Sequence, residues 1–188
     1  MTTVLVLGLL LNAIVLPIAG KRVVFLYKLI MSGQPAPDRV VGVTSRIGSA
    51  IKTQVVEVFG QKKLLKWSIP GAAHFFVFWA FLILATVYFE AYAVLLSRDA
   101  GWNWLVFNNW PVLGFAQDLI SVLCLASLGV FAWIRIINAP QKLGRKSRFD
   151  GSHLSGAWIT LFMIFNVIWT MFLFRGSSVA TGNFPYGN

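Results

Sequence analysis

Cysteine is almost missing from this chain: Cys124 is the only one in 188 residues. It can therefore hold no internal disulfide, no CxxC zinc site and no four-cysteine iron–sulfur cluster. Any redox centre must use other ligands. Charge is also scarce, at 12% of residues where an average soluble domain carries about 25%, and 57% of side chains are hydrophobic. No Walker, GxGxxG, GxSxG or HExxH pattern, internal repeat or low-complexity tract is present. What charge there is has one dominant sign, sixteen Lys and Arg against six Asp and Glu, for a net +10. A nucleic-acid partner is set aside all the same. The basic residues lie mostly between apolar runs, where they read as topology signals and contacts to anionic lipid headgroups.

Four apolar runs meet the length of about 20 residues that a membrane helix needs, at roughly 4–20, 72–96, 111–134 and 157–174. The expected fold is an all-α integral membrane protein, a four-helix transmembrane bundle forming one domain over 1–188. The first run is short and holds Asn12 and Pro17, and Val23 to Ile30 can prolong it beyond Lys21 and Arg22. A cleaved signal peptide is not expected, because the positive charges follow this run instead of preceding it. Fourteen of the sixteen Lys and Arg fall in segments 21–70 and 135–156; only Arg98 and Arg175 fall elsewhere. Positive charge collects on the inner face. Both basic segments are thus expected in the cytoplasm and both termini outside a plasma membrane, with Trp102, Trp104 and Trp110 in the outer interfacial belt. Within the first segment, Val40, Val43, Ile47, Ile51, Val55 and Val58 recur at helical spacing, which predicts an amphipathic cytoplasmic surface helix.

Ionisable groups inside a bilayer are costly and mark candidate sites, and here they are His74, Glu90 and Asp118, with His153 at a span boundary. His74 follows the small-residue stretch Pro70-Gly71-Ala72-Ala73 and shares a helix face with Phe78 and Phe81. Small residues next to a histidine admit a flat macrocycle, and apolar rings exclude water from it, which suits an axial haem ligand. The residues alone favour a plainer role, an interfacial histidine bonded to a carbonyl or to water. His153 has three readings: a second ligand to the same iron, a hydrogen-bond partner of a quinone or a haem propionate, or an interfacial residue at a helix start. Glu90 and Asp118 fall near the outer ends of antiparallel neighbours, where they can exchange protons during quinone chemistry or remain solvated. Gly114, Asp118, Ser121 and Gly129 form a small and polar stripe that equally serves close helix packing. Asn166 reads as a bond between helices, and Lys142, Arg145, Lys146 and Arg148 as headgroup, propionate or partner contacts.

The string GAAHFFVFWAFLIL (71–84), with VEVFGQKKLLKW (56–67), WPVLGFAQDLI (110–120), LGRKSRFDGSHL (143–154) and FMIFNVIWTMFLFRG (162–176), resembles the N-terminal membrane part of actinobacterial iron–sulfur-binding reductases. These are heterodisulfide-reductase-like proteins, similar in their haem b module to the nitrate reductase gamma subunit. The resemblance implies an oxidoreductase that takes electrons from electron-transfer flavoprotein in fatty-acid β-oxidation and passes them through iron–sulfur clusters and haem b to menaquinone. It implies His74 as an axial haem ligand. Two features depart from the pattern: later spans with a partner histidine are missing, and so are cluster-binding cysteines. The chain is therefore expected to be incomplete as an enzyme, with the clusters in the missing part. The competing expectation is a non-catalytic membrane scaffold or assembly subunit that binds lipid or a partner.

Overall fold

A backbone that leaves water must satisfy its own N–H and C=O groups, and an uninterrupted apolar run does so as a helix. The computed structural model describes residues 2–33, 42, 44–96, 110–151 and 154–182, and among these residues every regular element is helical. In chain order they are α1 (Thr2–Met31), α2 (Ile47–Thr53), α3 (Lys62–Leu65), α4 (Ser68–Leu96), α5 (Pro111–Ile137), α6 (Pro140–Leu143) and α7 (Leu154–Ala180). Helices α1, α4, α5 and α7 are each long and apolar enough to cross a membrane. Trp102, Trp104, Val40, Val43 and His153, all named above, lie outside the described residues.

Helix α1 runs straight through Pro17, so the two apolar pieces read from sequence are one helix of 30 residues. A proline removes one i to i−4 bond, and the flanking turns carry the helix past it. This helix is peripheral and most of its apolar side chains are exposed. It touches α4 at two points: Gly8 lies under Leu95, and the Tyr92 hydroxyl donates to Asn12 Oδ1 at 2.6 Å.

Helices α4 and α5 pack together along their length, and α7 leans on α5. The core lies between them, built from Ala80 and Leu84, Ile120 and Cys124, and Ile168 and Met171. Small side chains allow this closeness. Ser121, fully buried, returns its hydroxyl to the Gln117 carbonyl at 2.6 Å and points at Met171 Sδ, 3.8 Å away. Asn166 bonds the Phe162 carbonyl of its own helix at 3.0 Å, so it does not link helices as its mid-span position suggested.

The segment before α4 is shaped by special backbone geometry. A 3₁₀ turn (Thr44–Arg46) leads into α2, and α2 widens into a π turn (Gln54–Phe59) closed by Gly60 N–H donating to the Val55 carbonyl at 2.8 Å. Ile47, Ile51, Val55 and Val58 are exposed, an unpartnered apolar face of the kind expected of a surface helix. Gln61 then takes the left-handed conformation at φ 48°, which reverses the chain into α3. Helix α3 lies against the start of α4, where Gly71 is indispensable: a Cβ there would stand 2.1 Å from the Leu64 carbonyl oxygen.

Beyond α5 the chain is pinned back onto that helix. Asn138 caps it with both its backbone N–H and its amide on the Ile134 carbonyl. The Ser147 hydroxyl donates to the Asn138 carbonyl and accepts from Phe149 N–H at 3.0 Å. These bonds hold residues 147–149 beside the last turn of α5.

Candidate functional site

Two polar sites stand at opposite ends of the bundle. At the end away from the basic segments, Arg175 is buried on α7. Its Nη1 donates to Asp118 Oδ1 and, at 3.4 Å, to the Gly114 carbonyl, while Nη2 donates to Gln117 Oε1. Gln117 Nε2 in turn donates to Thr86 Oγ1 at 2.7 Å, and Thr86 donates to the Ile83 carbonyl at 2.6 Å. The bonds run in one direction from α7 through α5 to α4, and each acceptor along the way passes a donor onward. Gln117 is fully buried, whereas the Asp118 side chain is 47% exposed. Glu90 is buried one helical turn beyond Thr86.

This arrangement changes the role of three residues. Arg175 looked like a tail charge, because the apolar run weakens near residue 174; the helix continues to Ala180 and carries the guanidinium inside. Gln117, an uncharged residue beside Asp118, carries no signal of its own in the sequence. The signal available in sequence was an arginine and an aspartate at the same depth of two spans, since charges in a bilayer pair with one another. Asp118 is thus an ion-paired carboxylate with one open flank, and Glu90 a buried one at the same end.

At the basic end, His74 is exposed on the first turns of α4. Its Nδ1 lies 3.4 Å from Gln61 Oε1, and Gln61 is itself buried. A proton on Nδ1 shared with this amide oxygen leaves the lone pair on Nε2, the atom that would bind a metal. Phe78, one turn on, meets Phe59 edge to face at 6.4 Å between ring centres. Phe81 continues the stripe and is exposed. The space at Gly71, expected to admit a macrocycle, is filled by the chain's own backbone at Leu64 and Leu65. Of the expected haem site, the described residues supply the imidazole of His74, while the approach beside Gly71 is closed. Among them His74 is the sole histidine, and no cluster of three metal-binding side chains occurs.

Between the two ends, α4 and α7 leave an apolar groove. It consists of two adjoining hollows of about 250 and 300 Å³ that share Leu84, Tyr88 and Val167. One reaches Phe81 and Met163; the other reaches Thr170 and Phe174, next to Arg175. Phe81, on the α4 stripe that bears His74, lines one hollow, and the other ends beside Arg175.

The chain is similar to a quinone oxidoreductase. The protein described as EtfAB:quinone oxidoreductase, from Syntrophomonas wolfei subsp. wolfei, is 25% identical to it over 135 residues, 72% of this chain. The chain spans 18% of that relative's length. No family model matches the chain, and no solved structure does.

Proposed function

We propose that this chain is a membrane module of an oxidoreductase that delivers electrons from electron-transfer flavoprotein to a quinone, menaquinone by the resemblance of its sequence strings. The observation that carries the reading is the match to EtfAB:quinone oxidoreductase across most of the chain. With one cysteine, the chain leaves any cysteine-held iron–sulfur clusters to other parts of the assembly.

In this reading His74 would hold haem b through Nε2, with Gln61 fixing the imidazole by accepting from Nδ1–H. Haem b, when bound, supplies one-electron transfer. Phe78 and Phe81 would keep water from it, and His153 or a histidine of another chain would supply the further ligand. The α4–α7 groove suits a flexible apolar ligand such as a quinone's isoprenoid tail, being concave, apolar and open to the membrane along its side. Quinone reduction consumes two protons as well as two electrons. Asp118, paired with Arg175 and open on one flank, and Glu90 at the same end are the carboxylates that would exchange them. The basic segments face the cytoplasm, and both ends of this chain face outward.

The test is re-oxidation. Purified protein is reduced with dithionite, freed of excess reductant and mixed with a short-chain menaquinone analogue while the b-type absorption is followed. The proposal expects the reduced absorption to decay at a rate that rises with quinone concentration. Protein that carries no such chromophore, or one indifferent to quinone, refutes it in favour of a scaffold.

A further inference from the structure

A cavity of about 460 Å³ opens at the basic end, where α4 begins, α5 ends and α7 begins. It falls within the size range of small-molecule sites. Its lining is mainly apolar, with Pro70, Phe131 and Leu161, and also includes Trp67, Arg135 and Arg148. None of the described residues lining it is a carboxylate; Asp150, next to Phe149 in the chain, is exposed and outside it.

The two arginines are presented by built structure. Arg135 belongs to the last turns of α5, and its guanidinium lies over the Phe149 ring at 4.7 Å. Phe149 and Arg148 are held there by the Ser147 bonds to Asn138 and to Phe149 N–H. Arg135 Nη1 is buried without a hydrogen-bond partner among the described residues. A buried guanidinium N–H left unpaired is costly, and an anionic oxygen is the partner that repays it best. Trp67, 65% exposed, is the residue type that settles at the headgroup layer.

We infer that this cavity binds the phosphodiester of an anionic phospholipid, with Arg135 and Arg148 on the phosphate and the glycerol and upper acyl chain on Pro70, Phe131 and Leu161. A lipid is preferred to a soluble anion because the lining is mainly apolar beside its two guanidinium groups and lies at the ends of three membrane-length helices. This site is independent of the haem and quinone reading.

The experiment titrates the purified full chain, in a neutral detergent, with phosphatidylglycerol, phosphatidylcholine or inorganic phosphate, reading bound lipid by native mass spectrometry and the unfolding midpoint by tryptophan fluorescence. Saturable phosphatidylglycerol binding is expected. Arg135→Gln and Arg148→Gln should each weaken it about tenfold, the worth of one charge-assisted hydrogen bond. Lys142→Gln, an exposed charge outside the cavity, should leave it within about twofold, as a surface charge does. Should Arg135→Gln fail to fold, Arg148→Gln in the loop carries the same comparison. Equal binding of the two lipids, equal competition by inorganic phosphate, or equal loss in Lys142→Gln would each overturn the site. So would loss of haem with unchanged lipid binding in the arginine variants, which would assign the cavity to haem carboxylates.

Discussion

Replacing Arg175 by Met keeps the apolar stem and removes the guanidinium, so its cost can be worked from the contacts. Gln117 Oε1 loses its donor inside the bundle, where Gln117 has no exposure to water. An unsatisfied buried acceptor costs about 1–3 kcal/mol. Asp118 loses its ion partner too, but its side chain is 47% exposed, so water replaces most of that loss, leaving about 0–1 kcal/mol. The expected total for Arg175→Met is about 1–4 kcal/mol by these two contributions. Asp118→Asn should cost less than about 1 kcal/mol, because only the exposed half of the network is touched. The assay is equilibrium unfolding in mixed micelles followed by far-ultraviolet circular dichroism. A double-mutant cycle between Arg175→Met and Gln117→Leu should show coupling of about 1 kcal/mol or more. Equal costs for Arg175→Met and Asp118→Asn, or additive behaviour in the cycle, would refute the claim that the arginine works through Gln117.

Other expectations follow from the same contacts. Gly71→Ala forces a methyl against the Leu64 carbonyl and should destabilise by about 1–3 kcal/mol, the usual cost of overpacking, measurable in the same unfolding assay; a neutral result would mean that α3 does not rest on α4. Gln61→Leu should lower haem affinity about tenfold or more and shift the midpoint potential, as loss of an outer-shell partner does; haem titration and a potentiometric titration that both match wild type would remove Gln61 from the site. Asp118→Asn or Glu90→Gln should slow quinone-coupled turnover of the complete enzyme by about 10²-fold, the worth of a positioned proton-transfer group, and unchanged rates across pH would assign these carboxylates to packing.

The four long helices were legible because a run of apolar residues of bilayer length permits little else. Where the sequence misled, it did so about faces and neighbours. Arg175 was sorted by its distance along the chain, which reports depth and not direction; only the pairing of α5 with α7 shows that it points at Gln117 and Asp118. Gly71 was noticed as small, but the reason for its smallness, the passage of Leu64 and Leu65 over it, depends on the reversal at Gln61. His74 stood out because histidine is rare here, while its partner Gln61, thirteen residues earlier, carries no signal until that reversal brings it alongside.

The central claim is tested most directly by the reduced-minus-oxidised spectrum of the detergent-purified chain with pyridine haemochrome quantitation, recorded for wild type and His74→Ala. The account predicts a stoichiometric b-type alpha band in wild type and its loss in His74→Ala, with helix content unchanged. A band that persists in His74→Ala, or no haem in either the chain or the complete assembly that contains it, would contradict it.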